Sequence, residues 1–274
     1  MIDVHAHLTF PTRPDHPRPQ LTAEQLVDRM NHEGIERAVL LPMESPEADA
    51  GPMRTEDILE AVRRFPARLI PFLHVDPRVR ALEEQIEYLA IEYGCKGYGE
   101  MLDSLWIDDP LHKRVYAKCA ELGLPVLFDM NLRSCMDEPG LPRLEAVLQE
   151  FPDCIFIGHG PCWWANISAD ADGTGGYPRG PVVPGGAVER LLGEYDNMYA
   201  DLSAGSGYNA LTRDPEFTHG FIQRHWRKLM FGTDIVRPGD ALEIMQWMQE
   251  FPFTDEQYEA IAQGTARRLL RLDE

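Results

Sequence analysis

Basic residues are in short supply: 26 Lys and Arg face 45 Asp and Glu in 274 positions, a formal charge of −19. That balance opposes binding to nucleic acid and to anionic membrane surfaces. Cysteine is scarce. Cys95, Cys119, Cys135, Cys154 and Cys162 are odd in number and form no CxxC pair, which fits a reducing compartment. No run of 18 apolar residues exists, so no membrane-spanning helix is expected. The opening Ile2-Asp3-Val4-His5 already reads as a strand; no signal peptide is expected ahead of it, and the cytoplasm is the expected location. No GxGxxG follows a strand, and P-loop and internal repeat are both missing. The absence of GxSxG removes the nucleophile elbow of Ser-His-Asp hydrolases.

What is present is ordinary globular material, 44% apolar and 26% charged. Eight short apolar runs recur: Ile2–His7, Ala38–Met43, Leu69–Val75, Gly94–Glu100, Pro125–Met130, Cys154–His159, Met198–Leu202 and Leu229–Asp234. Nearly continuous apolar character marks parallel strands buried on both faces. Helical spacing fills the intervals, with Thr22 and Thr254 as N-caps and Pro-Gly turns at 139–140 and 238–239. Alternating β and α implies a parallel sheet with right-handed crossovers. Eight such units predict one α/β domain over 1–274, a closed (β/α)8 barrel with its site at the C-terminal ends of the strands.

Those strand ends carry the chemistry. His5 and His7 are two apart, so strand alternation places both on one face, where two imidazoles can share a metal ion. Glu100, Asp129, His159 and Asp234 lie at or next to the ends of four other runs. A buried acid at a strand end is costly unless it is paired or metal-bound.

The opening Ile2-Asp3-Val4-His5-Ala6-His7, Ile157-Gly158-His159-Gly160 and Phe231-Gly232-Thr233-Asp234 resemble the amidohydrolase superfamily. The branch they resemble is the amidohydrolase-related group that includes carboxymuconate-semialdehyde decarboxylase-like proteins. The resemblance implies a distorted (β/α)8 barrel with a divalent metal on His5, His7 and Asp234, and His159 as a second-site ligand or a polarising residue. Glu100 resembles the glutamate that bridges two metals in some branches. One position departs: the superfamily's histidine at the end of strand 5 is here Asp129, in Leu127-Phe128-Asp129. A carboxylate is a harder, more anionic ligand than imidazole. Asp129 therefore reads either as a ligand or as the mark of a site that no longer holds metal tightly. One or two ions are expected, zinc ahead of manganese.

A divalent ion lowers the pKa of bound water from 15.7 to about 7. Asp234 would take the water's proton and later deliver it to the leaving group, while the metal or His159 polarises the carbonyl. The resulting expectation is a hydrolase of a small, anionic amide, lactone or ester. In related branches the same metal anchors a carboxylate and CO2 is lost, so a non-oxidative decarboxylase is the alternative. A TatD-like nuclease is opposed by the charge, and a catalytically silent barrel is kept open by Asp129. Two long connections, Leu8–Gln20 and Gly160–Gly186, follow strands at the same rim. Rim candidates for substrate contact are Arg133, Arg213 and Arg237, joined by Arg13 and Arg179, because Arg forks bind carboxylates. Tyr208 could add a hydrogen bond. Trp163 and Trp164 are expected to form an aromatic wall in a lid. The expected partner is a small molecule, not nucleic acid or membrane, and assembly into a homo-oligomer is compatible with the sequence.

Overall fold

A computed structural model describes residues 1–9, 20–44 and 53–273. Arg13 and most of the Leu8–Gln20 connection lie outside the described residues. The strands are β1 (Ile2–Ala6), β2 (Arg37–Leu40), β3 (Leu69–Pro71), β4 (Tyr98–Met101), β5 (Leu105–Trp106), β6 (Val126–Asp129), β7 (Cys135–Met136), β8 (Phe156–His159), β9 (Met198–Asp201) and β10 (Leu229–Met230). The helices are α1 (Ala23–Glu33), α2 (Thr55–Arg64), α3 (Leu82–Tyr93), α4 (Pro110–Leu122), α5 (Pro142–Glu150), α6 (Pro161–Ala165), α7 (Ala187–Glu194), α8 (Ala204–Thr212), α9 (Pro215–His225), α10 (Glu243–Glu250), α11 (Asp255–Glu259) and α12 (Thr265–Leu269). Thr22 and Thr254 both close capping boxes, with Gln25 and Gln257.

Parallel pairing runs β1-β2-β3 and β10-β9-β8-β6-β4. Two seams join the sets. Leu73 bridges Tyr98 between β3 and β4, and Ala6 bridges Ile235 beyond β10. Val4 N–H donates to Phe231 O at 3.0 Å across the second seam. The barrel is thus closed by eight parallel strands, each overlapping one expected run. β5 and β7 form a separate two-stranded ladder that the hydrophobic pattern did not announce. The last strand spans only Leu229–Met230, shorter than the expected run to Asp234.

Two apolar clusters divide the strand residues. Ile2, Val4, Val39, Ile70, Leu127, Ile157, Tyr199 and Met230 fill the interior, with Ala266 and Leu270 from the C-terminal segment. Ala38, Leu40, Tyr98, Met101, Val126, Phe128, Phe156 and Ala200 face the helices. Gly97 makes this filling possible, because a Cβ there would strike the Phe72 ring.

Strict alternation would send His5 and His7 outward, since Ile2 and Val4 point inward. The ladder prevents this: the β1–β2 register shifts between Asp3 and Ala6, and Ala6 joins the outer cluster. An extra residue in a strand re-aims the side chains beyond it. The β4–β6 register shifts likewise between Tyr98 and Met101, around Glu100. The two irregular strands are those that deliver His5, His7 and Glu100 to the mouth.

The Gly160–Gly186 connection also differs from expectation. It opens with α6, and both tryptophans are buried in the shell, Trp163 at 0% and Trp164 at 2% exposure. Trp163 packs edge-on to Phe128 with ring centroids 5.9 Å apart and lies over Gly158, where a Cβ would meet its indole. Trp164 Nε1 donates to Asp201 O at 3.1 Å. The indoles fasten the segment to the barrel and form no substrate wall. No helix among the described residues is long and apolar enough to cross a membrane.

Trp163→Ala removes a wholly buried indole and should cost roughly 3–5 kcal/mol in urea unfolding. Ligand affinity measured where both proteins are folded should stay unchanged.

Candidate metal centre

Five of the strands bring a polar side chain to the barrel mouth at or just beyond their ends. His5 Nδ1 donates to Asp201 Oδ2 at 2.6 Å, and His7 Nδ1 donates to Leu41 O at 3.0 Å. A carboxylate and a carbonyl can only accept, so both Nδ1 atoms carry hydrogen and, in the neutral rings, both Nε2 atoms present lone pairs. Those two Nε2 atoms face each other at 3.0 Å. Lone pairs this close repel unless a proton or a cation lies at their meeting point. Carboxylates surround that point: Glu100 Oε2 is 3.4 Å from His7 Nε2, and Asp234 Oδ1 is 3.5 Å from the same atom and 3.6 Å from His5 Nε2.

His159 completes the cluster. Its Nδ1 is 3.0 Å from Asp201 Oδ2 and 3.1 Å from Ser203 Oγ, leaving Nε2 turned toward Glu100 Oε1 at 3.9 Å. Three overlapping groups have ligand atoms within 4.8 Å of one another: His5, His7 and Glu100; His5, His159 and Asp234; and Glu100, Asp129 and His159. All six residues expected at the strand ends therefore meet. Asp201 was not anticipated, although it ends β9 as the others end their strands. Wholly buried, it orients two imidazoles at once and also accepts from Ser203 Oγ at 2.7 Å. A carboxylate behind a ligating histidine fixes its tautomer and raises its basicity.

Burial disfavours every charge here, and mutual attraction offsets it unevenly. His7 would be pulled down by burial, but hydrogen bonds to Asp234 and Glu100 outweigh that and lift it to about 9. The facing nitrogens have room for one proton between them. Burial would raise Glu100, yet His5 and His7 hold it well below the ordinary carboxylate range. Asp129, raised first by burial and then by Glu100, is pushed up to about 7.

The residues border a cavity of about 740 Å³, lined by His7, Glu100, Asp129, His159 and Asp234 together with Asn131, Arg133, Ser134, Tyr177 and Ser206. Three lining residues hold left-handed backbone: Ser104 at φ 55°, Ala204 at 63° and Asp234 at 56°. Such conformations cost of order 1–3 kcal/mol each and collect at functional sites. Asp234 is held in this one by its N–H bond to His5 O at 2.8 Å.

The rim candidates separate. Arg133 lines the cavity. Tyr208 instead lines a neighbouring pocket of about 210 Å³, which shares Tyr177, Ala204 and Asp234 with the first. Arg213, at the end of α8, has buried Nε and Nη2 atoms without a hydrogen-bond partner and does not border the cavity. Arg237 is exposed in a turn whose N–H groups bond Asp240 Oδ2, and is also outside the lining. The aromatic that reaches the cavity from the long connection is Tyr177, not Trp163 or Trp164.

Fold and site together define a (β/α)8 barrel with a His- and carboxylate-rich centre at its mouth. The Amidohydrolase family profile matches residues 2–272, and the chain belongs to that enzyme family. No curated protein matches the chain. Among solved structures, 2,6-dihydroxybenzoate decarboxylase from Rhizobium shares 17% identity at a TM-score of 0.65, covering 100% of this chain and 99% of that one. A dihydroxybenzoic acid decarboxylase from a Polaromonas species, with bound manganese and 2-nitroresorcinol, shares 15% at 0.65, covering 100% and 97%. A probable 2-pyrone-4,6-dicarboxylic acid hydrolase from Acinetobacter baumannii, with citric acid bound, shares 14% at 0.67, covering 98% of each.

The site's protons set two pH trends. A histidine raised from 6.5 to about 9 stabilises the metal-free fold below 6.5 and loses that contribution through about 9. Asp129, raised from 3.8 to about 7, gives its contribution up between those values. Melting temperature without metal should therefore fall from pH 6 to 9. A cation must displace the shared proton, so calorimetric affinity for a divalent ion should keep rising up to about pH 9 and not level off near 6.5.

Proposed function

We propose that this chain is a divalent-metal enzyme acting on a small carboxylate-bearing compound, and that its reaction is non-oxidative decarboxylation. The observation that carries the metal reading is the convergence of the lone pairs of His5 and His7, at 3.0 Å, with the surrounding carboxylates. That donor set fits a divalent cation. His5, His7 and Asp234 would hold it, with Asp129 and Glu100 as further carboxylate ligands; zinc and manganese both suit such a set. A bound ion would supply a Lewis acid for a substrate oxygen. The decarboxylases among the structural neighbours support the choice of reaction.

The chain's own residues do the rest. Arg133 puts a guanidinium on the cavity wall, where it can pair with a substrate carboxylate. When the C–CO2 bond breaks, the electron pair stays on carbon and that carbon needs a proton. His159 is placed to give it. Burial and His5 act against its charged form, but Asp201 behind Nδ1 wins and raises it above the ordinary imidazole value. Nε2 then offers the proton to the cavity.

Hydrolysis is the second reading, and Asp234 is the observation that favours it. Its side chain is 27% exposed, against 7% for Glu100. It is therefore placed to take a proton from water and return it to a leaving group. The hydrolase among the neighbours supports the same reading.

Elemental analysis without chelators should find at least one divalent ion per chain; less than roughly a tenth per chain defeats the metal reading. Manganese- and zinc-loaded protein should be offered ortho-hydroxylated benzoates and, separately, lactones. Labelled CO2 release supports decarboxylation, and acid release without CO2 supports hydrolysis. His159→Asn should lower kcat about 10²–10⁴-fold with the ion retained. Turnover of neither class by metal-loaded protein would leave a binding barrel.

A further inference from the structure

Asp129 stands where a histidine is expected from the family, and its surroundings are fitted to a carboxylate. Asn131, two residues on, uses its whole amide. Oδ1 accepts from the backbone N–H of Arg133 at 2.8 Å and of Ser134 at 2.9 Å. Two N–H donors decide which end of the amide is oxygen. The NH2 group therefore faces the other way, donating to Asp129 Oδ2 at 2.5 Å and to Ser134 Oγ at 2.7 Å. On the opposite side Gly160, at φ 100°, lies against Asp129 Oδ1. A Cβ at Gly160 would collide with that oxygen and with the Met130 backbone. One oxygen is anchored by Asn131 and the other packs against Gly160, so both ends of the carboxylate are restrained. It is 9% exposed, and it groups with Glu100 and His159 with ligand atoms within 4.8 Å.

We propose that Asn131 is a positioning residue that makes Asp129 a fixed carboxylate ligand, and that the centre is thereby shifted toward a hard ion such as Mn²⁺, and away from Zn²⁺, relative to the same centre with a histidine at 129. The inference rests on the metal reading above. Carboxylate oxygen suits manganese and magnesium, whereas imidazole suits zinc. A ligand held in place by an outer hydrogen bond typically loses 10–100-fold in metal affinity when that bond is removed. The His-to-Asp departure is then an adaptation with its own supporting side chain, and not the mark of a decayed site.

Equilibrium dialysis of the full chain against Mn²⁺ and Zn²⁺ at equal concentration, with bound metal read by mass spectrometry, tests this without any substrate. Asn131→Ser retains a hydroxyl that can accept from the turn N–H groups but removes the amide donor to Asp129. It should lower Mn²⁺ affinity about 10–100-fold and raise the bound Zn:Mn ratio with little change in melting temperature. Asp129→His should raise the same ratio. Adding Asn131→Ser to Asp129→His should then change nothing further, because the partner through which Asn131 acts is gone. Unchanged Mn²⁺ affinity in Asn131→Ser, or an equal loss in both backgrounds, overturns the proposal and leaves the metal reading standing. No bound ion in the wild type overturns both. If Asn131→Ser does not fold, a crystal structure of the Mn²⁺-loaded wild type decides. Asp129 Oδ1 on the ion with Oδ2 still on Asn131 supports the proposal; a water in place of Asp129 overturns it.

Discussion

Asp201 lies 2.6 Å from His5 Nδ1 and 3.0 Å from His159 Nδ1, and it has no exposed surface. Ionised at the bottom of the site, it compels both rings to turn their Nε2 atoms upward. His7 receives the same instruction from the Leu41 carbonyl at 3.0 Å. A buried carboxylate is stable only while its partners stay in place. Burial would raise Asp201, but His5 and His159 hold it well below the ordinary range. The centre and its support are therefore one electrostatic unit. Removing the carboxylate would free two rings to rotate, one of them, His159, on the cavity wall itself.

Much of this was legible in the chain. Strands buried on both faces advertise themselves as apolar runs, and a polar residue that ends such a run stands out. His5, His7, Glu100, Asp129, His159 and Asp234 were found that way, and all six converge. For His5 and His7 the reasoning reached the right face by an incomplete route. Simple alternation continues from Ile2 and Val4 to the wrong side, and the register shift between Asp3 and Ala6 corrects it. A shift of register belongs to the pairing of two strands, so it has no signature in either strand alone.

What stayed hidden acts across long separations. Asp201 reaches His5 over 196 positions, and nothing near either residue announces the bond. Asn131 reads locally as an ordinary turn former; only the neighbouring strand end gives it a second task. The tryptophans misled for a related reason. A large aromatic in a long connection is equally suited to covering a site and to plugging a shell, and Gly158 settles the matter by leaving space for an indole. Tyr177, exposed at 57%, is the aromatic of that segment left to meet whatever enters the cavity.

The seam between the first and last strands has a consequence for biosynthesis. Asp3 accepts from Thr233 Oγ1 at 2.6 Å across 230 positions, and Val4 pairs with Phe231. Contacts of that span form late, because the intervening chain must be ordered before its ends can meet. During translation His5 and His7 leave the ribosome long before Asp201 and Asp234 exist. The nascent chain thus carries an incomplete centre, without the carboxylate that orients His5 and without Asp234. An ion bound at this centre would meet its full ligand set only after the last strand had emerged and closed the ring.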